Sequence, residues 1–127
     1  LTRVIFASED AELRERWTAA LESMGCDATE CADGQTCLEE SARVRPHLVF
    51  VSGSLPVHDG FAVCSALRGD PDMPDRLPIF IISSEAVSAR DLEAVGATQW
   101  LRPEMGTAQL AEIVVAHQGD AVYEEDL

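Results

Sequence analysis

The sequence contains no lysine. All nine of its basic residues are arginine, against 23 Asp and Glu, and the 127-residue chain carries a net charge of −14. That absence excludes any mechanism that needs a lysine ammonium. The negative field repels phosphate backbones and anionic lipid, which excludes nucleic acid and membrane surfaces as partners of this domain. Cysteine is present, but Cys26, Cys31, Cys37 and Cys64 show no C-x-x-C spacing and only three His accompany them. This argues against zinc or a disulfide framework, and the thiols read as small, half-buried hydrophobes. No apolar run approaches the ~20 residues of a membrane span. No signal peptide is visible, and the expected setting is a reducing cytoplasm. Because the chain starts at Leu1 rather than Met, it is expected to be cut from something longer.

What is present is an ordinary globular balance, 46% apolar and 25% charged. The length suits one domain, of the usual ~100–150 residues. Branched and aromatic runs alternate with amphipathic stretches. Residues 3–7, 26–31, 47–52, 78–83 and 98–101 read as strands, the second polar enough for a sheet edge. Helical spacing follows each. Leu13, Trp17, Ala20, Leu21 and Met24 mark the first inner face, with Asp10 as its cap and Gly25 at its end. Cys37, Leu38, Ser41 and Ala42 mark the second, which stops before Pro46. Phe61, Cys64 and Leu67 mark the third, then Val87, Leu92 and Val95, then Leu110, Ile113 and Val114. Residues 70–77, with Pro71 and Pro74, form a solvated acidic loop. Residues 1–118 thus form one domain, and residues 119–127, acidic and without periodicity, read as a frayed end or linker.

Five-fold β-α alternation implies a doubly wound parallel α/β sheet of five strands, order 2-1-3-4-5, a flavodoxin-like fold. Its crevice lies at the carboxyl ends of strands 1 and 3. Four segments gather there: Ser8-Glu9-Asp10, Ser52-Gly53-Ser54, Ser83-Ser84 and Arg102-Pro103. A phosphate-binding loop needs Gly, Ser and Thr amides facing an anion, and Glu9 and Asp10 oppose that. Paired acids suit a hard cation, or else Asp10 simply caps the helix that follows.

Residues 45–71, the ADG at 32–34 and the GA at 96–97 resemble the receiver domain of two-component response regulators, the CheY-like family. The likeness covers about residues 3–118. In that family an Asp ending the third strand accepts a phosphoryl group from a histidine kinase. Two acids after the first strand hold Mg²⁺. A Ser or Thr after the fourth strand and a Lys after the fifth contact the phosphoryl group, and an aromatic residue in the fifth strand signals the change.

The resemblance places Ser52 at the acceptor position and Ser8 and Glu9 at the acid pair, beside Asp10. Ser83 stands at the Ser/Thr position, Trp100 at the aromatic one, and Arg102 at the Lys position with about one residue missing before it. Ser54 would lend a carbonyl to a metal. A serine hydroxyl is neutral and weakly nucleophilic without a base. Losing two carboxylates weakens hard-cation binding, so Mg²⁺ is expected weak or absent, with Glu9 and Ser54 its only weak candidates. Arg102 is expected either to pair with Glu9 or Asp10 in place of the metal, or to lie solvated in its loop. Trp17 reads as core and Trp100 as partly buried packing.

These departures imply a degenerate receiver: not an enzyme, without cofactor, and acting through a protein partner or output domain or as a homodimer. Two alternatives stand beside it. One is phosphorylation at Ser52, Glu9 or Asp10, and the other is a small-molecule sensor in the emptied pocket.

Overall fold

The computed structural model describes residues 1–127. The elements run β1 (Arg3–Ala7), α1 (Ala11–Ser23), β2 (Asp27–Cys31), α2 (Gly34–Val44), β3 (Leu48–Ser52), α3 (Gly60–Gly69), β4 (Ile79–Ile82), α4 (Ala89–Val95), β5 (Gln99–Leu101) and α5 (Thr107–His117). A short 3₁₀ turn at Glu124–Asp126 follows. The strands form one sheet in the order β2-β1-β3-β4-β5, and every pairing is parallel. This is the CheY-like α/β architecture.

Alternation along the strands divides the core in two, because successive side chains leave a strand on opposite faces. Val4, Phe6, Leu48, Phe50, Phe80 and Ile82 point to one face, beneath Trp17 and Leu21 of α1 and Leu110 and Val114 of α5. Ile5, Val49, Val51, Ile79 and Ile81 point to the other, against Cys37 of α2 and Val63, Cys64 and Leu67 of α3. Phe50 is the hinge of an aromatic chain. It stacks on Phe80 with centroids 5.1 Å apart, and Trp17 meets its edge at 5.8 Å. All of β3 is buried, as befits a central strand covered on both faces.

Local signals set the helix ends. The carboxylates of Asp10, Asp33 and Asp59 and the hydroxyl of Ser88 accept from backbone N–H groups three residues on, capping α1 to α4. Gly25 and Gly96 take φ of 87° and 77° just past α1 and α4, the left-handed turn that glycine adopts without strain. All four cysteines are free and buried.

The C-terminal segment departs from its reading as a frayed end. Ala121 and Tyr123 are both 3% exposed, and the Tyr123 hydroxyl donates to the Pro46 carbonyl at 2.6 Å. Burial here comes from two isolated side chains, which leave no periodic trace in the sequence.

Candidate functional site

The carboxyl ends of β1, β3, β4 and β5 bring the expected segments together along one rim of the sheet. Ser8 follows β1 and is buried. Its backbone N–H donates to the Cys31 carbonyl at 3.0 Å, extending the β1–β2 pairing by one residue. Its hydroxyl accepts the Asp10 N–H at 3.2 Å, and its carbonyl accepts from Arg14 Nη1 at 2.6 Å. The first loop is therefore closed by the Ser8 hydroxyl and by the Arg14 guanidinium. Asp10 is exposed, with Oδ1 accepting the Leu13 N–H at 3.2 Å, so the capping reading holds. Glu9 is exposed and makes no ion pair.

Ser52 ends β3 and is 9% exposed, and its hydroxyl has no protein hydrogen-bond partner. Neither histidine near this segment reaches it. His47 precedes the opposite end of β3 and bonds Asp126, about 16 Å away at 3.3 Å per residue. His58 lies in the following loop and bonds Gln35 at 3.2 Å. That loop, with Ser54 exposed and Leu55 buried, folds back tightly onto the strand. The Gly60 N–H donates to the Gly53 carbonyl at 3.1 Å, and a Cβ on Gly60 would stand 2.3 Å from the Ser52 carbonyl oxygen. Only glycine permits this approach. Val57, in the same loop, has φ of 70° and is 73% exposed. A β-branched residue there is a strained outlier.

Ser83 follows β4. Its hydroxyl accepts the Glu85 N–H at 3.1 Å, and its carbonyl accepts from the Trp100 indole at 2.9 Å. Trp100 is thus half-buried packing tied to the β4 rim. Arg102 makes no ion pair with Glu9 or Asp10, which corrects one of the two expectations for it. Its guanidinium carbon lies 4.7 Å above the Trp100 ring, and Nη1 points to the Ser84 carbonyl at 3.5 Å. Stacking on the indole two residues back holds the side chain at the outer edge of the sheet.

One anchor escaped sequence reasoning. The Pro103 carbonyl, in the loop after β5, accepts from both Arg16 Nη2 and the Trp17 indole at 3.2 Å. Two donors from α1 thereby fasten this loop beside the rim. Nothing in the sequence marks a contact at that separation.

No group of three or more His, Cys, Asp or Glu side chains is placed to hold a metal ion. None of the five main surface cavities is lined by Ser8, Glu9 or Ser52. Burial pushes the Cys64 thiol up to about 11 while Arg68 pulls it slightly down, so it stays a protonated donor to the Val95 carbonyl.

A doubly wound sheet in this strand order is an architecture that signalling receivers share, and sequence comparison agrees. Residues 4–115 match the response regulator receiver domain, and the chain belongs to that family. It is similar to the DNA-binding response regulator MtrA of Mycobacterium tuberculosis, 35% identical over 72 residues. Those residues are 57% of this chain but only 32% of MtrA, so the match spans about a third of that protein's length. It is also similar to protein PilG of Pseudomonas aeruginosa, 22% identical over 91% of this chain and 86% of PilG. Among solved structures, chemotaxis protein CheY4 of Vibrio cholerae superposes with a TM-score of 0.85 at 22% identity. That superposition covers 92% of this chain and 98% of CheY4.

Proposed function

We propose that this receiver domain signals without phosphoryl transfer, as a protein-interaction module of the degenerate type. One observation carries the reading: the residue that closes β3 is Ser52, a neutral hydroxyl hydrogen-bonded to no base, with His47 and His58 both engaged elsewhere. A serine becomes a nucleophile only when a neighbour takes its proton. The rest of the rim agrees. Ser8 spends its hydroxyl on the Asp10 N–H, Asp10 spends Oδ1 on the helix cap, and Arg102 is stacked on Trp100.

The Mg²⁺ that receivers hold does not fit this donor set. Hard cations need several anionic oxygens. Here Ser8 and Ser52 are neutral, Asp10 is half-committed, and Glu9 is the one free carboxylate. On this reading the domain works without Mg²⁺, as neither an enzyme nor a cofactor carrier. Its partner is a protein or an output domain, a second copy included. Its acidic surface turns away nucleic acid and membrane. The protein works in a reducing cytoplasm, where its four cysteines remain thiols.

The test is incubation of the whole chain with acetyl phosphate and Mg²⁺, followed by intact mass. The expected result is unmodified protein. Stoichiometric phosphorylation sinks the proposal, and loss of that label in Ser52→Ala or Asp10→Asn would locate the acceptor.

A further inference from the structure

At the opposite end of the sheet from Ser52, the chain builds a second constellation that the receiver chemistry does not use. Two of the nine arginines and a histidine meet there. Arg3 begins β1, while Arg45 and His47 flank Pro46 in the turn between α2 and β3. Their positions are set by the main chain. Arg3 Nε donates to the carbonyls of Val44 and Arg45, at 3.0 Å each. His47 Nδ1 accepts the Arg3 N–H at 2.9 Å, which leaves Nε2 as the N–H that faces outward. Arg45 sits in a left-handed conformation at the end of α2, with φ of 56°. None of these contacts involves the C-terminal segment.

That segment fills the space between them. The Tyr123 ring lies under two guanidinium groups, with Arg45 Cζ 4.6 Å and Arg3 Cζ 5.7 Å from its centroid. His47 meets the ring edge-on at 6.1 Å, and the phenol reaches the Pro46 carbonyl beside Met73. Glu125 Oε1 accepts from Arg45 Nε at 2.6 Å and lies 3.9 Å from Arg3 Nη2. Asp126 lies 3.5 Å from Arg3 Nη1 and accepts from His47 Nε2 at 3.0 Å. The same carboxylate takes the Tyr123 N–H at 3.3 Å, curling the segment into a single turn. Arg3 Nη2 is buried without a hydrogen bond, an unused donor aimed into the site.

We propose that the base of the sheet is a recognition site for an acidic, tyrosine-bearing peptide segment, and that residues 121–126 are its tethered ligand. The chemistry is paired twice over: an aromatic ring against two guanidinium groups, and two carboxylates on three cationic or N–H-bearing side chains. In a chain of net charge −14, positive groups converge here and acids meet them. The receptor is held by its own main chain, so little ordering is lost when a ligand arrives. Only a short turn separates α5 from Tyr123, so the tether holds the ligand at a millimolar effective concentration. A free segment of the same kind enters only when the tethered one leaves. The site is independent of the Ser52 rim and stands whether or not phosphorylation occurs.

The experiment uses the whole chain. A vacated variant carries Tyr123→Ala, Glu125→Gln and Asp126→Asn together, and the probe is a fluorescent nonapeptide with the sequence of residues 119–127. Anisotropy should show binding to the vacated variant at least about tenfold tighter than to wild type. Adding Arg45→Gln to the vacated variant should weaken it by a further factor of about five or more. Equal binding to both forms, or no binding to a folded vacated variant, overturns the proposal.

Should the vacated variant not fold, amide exchange on wild type and Arg45→Gln decides instead. Protection at residues 121–126 should drop at least about tenfold in Arg45→Gln, with β3 unchanged. Free-peptide exchange rates for that segment in wild type overturn the proposal. So does sedimentation showing a dimer in which the segment is exchanged between copies.

Discussion

Replacing Tyr123 with Phe removes a single oxygen and interrogates the whole docking of the C-terminal segment. The hydroxyl donates to the Pro46 carbonyl at 2.6 Å inside a buried site. Its loss removes one hydrogen bond and strands a buried acceptor, costing about 1–3 kcal/mol near neutral pH. The pH dependence is sharper. Burial pushes the phenol up to about 12, against the opposing pull of Arg45 and Arg3. The folded state therefore favours the protonated phenol. Its contribution is fully present below the ordinary value of 10.0 and is lost as pH rises toward about 12. At about pH 11 the unfolded chain is some nine-tenths ionised and the folded one about one-tenth, a loss of about 1.4 kcal/mol. Cys64, also raised by burial, loses stability over an overlapping range. The Phe variant keeps that thiol, so subtracting the two proteins isolates Tyr123. Urea unfolding followed by tryptophan emission, at neutral pH and at about pH 11, supplies both numbers. The gap between wild type and variant should narrow by about 1.4 kcal/mol. A gap independent of pH, or a phenolate absorbance that rises around the ordinary value in the folded protein, would refute the reasoning.

Other substitutions test the rim and the core. Val57→Asn should stabilise the chain by about 1 kcal/mol, because Asn tolerates the left-handed backbone that Val is forced into. A thermal melt that is unchanged or lower would contradict the strain. Gly60→Ala should cost more than about 2 kcal/mol, since its Cβ meets the Ser52 carbonyl, whereas Gly69→Ala, with open space around it, should cost nothing measurable. Equal melts for the two variants would show that the loop can move away. Phe50→Ala should cost about 3–5 kcal/mol in denaturant unfolding, the usual penalty for deleting a ring at the centre of a core. Arg102→Ala should shift Trp100 emission while costing under about 1 kcal/mol, as an exposed cation–π pair does. An unchanged spectrum would place the guanidinium elsewhere in solution.

Much of this molecule is legible in one dimension. The run at 47–52 announces a doubly covered strand, and β3 is buried throughout. Asp10 caps α1 as its place before the first helical run indicates, because capping is a three-residue affair. The chain alone also states that Ser52 ends the central strand and that no lysine can stand on the rim.

The longer reaches were decided only by folding. Arg102 had two acids of the first loop to choose from by analogy, yet it stacks on Trp100, because it directly follows β5, which carries Trp100 along the sheet's outer edge. Pro103 is fastened by Arg16 and Trp17, more than eighty residues earlier. Tyr123, Glu125 and Asp126 find Arg3, Arg45 and His47 across comparable separations. The physical reason is the same in each case. Hydrophobic period and capping are local and repeat along the chain, so sequence alone determines the order of strands and helices and most of their inner faces, though Ala42 is exposed and no residue of α4 is fully buried. An ion pair or a ring slot is a single, non-repeating event. With 23 acids for nine arginines, partners are set by where the folded backbone brings them, and only the tertiary structure says which meet.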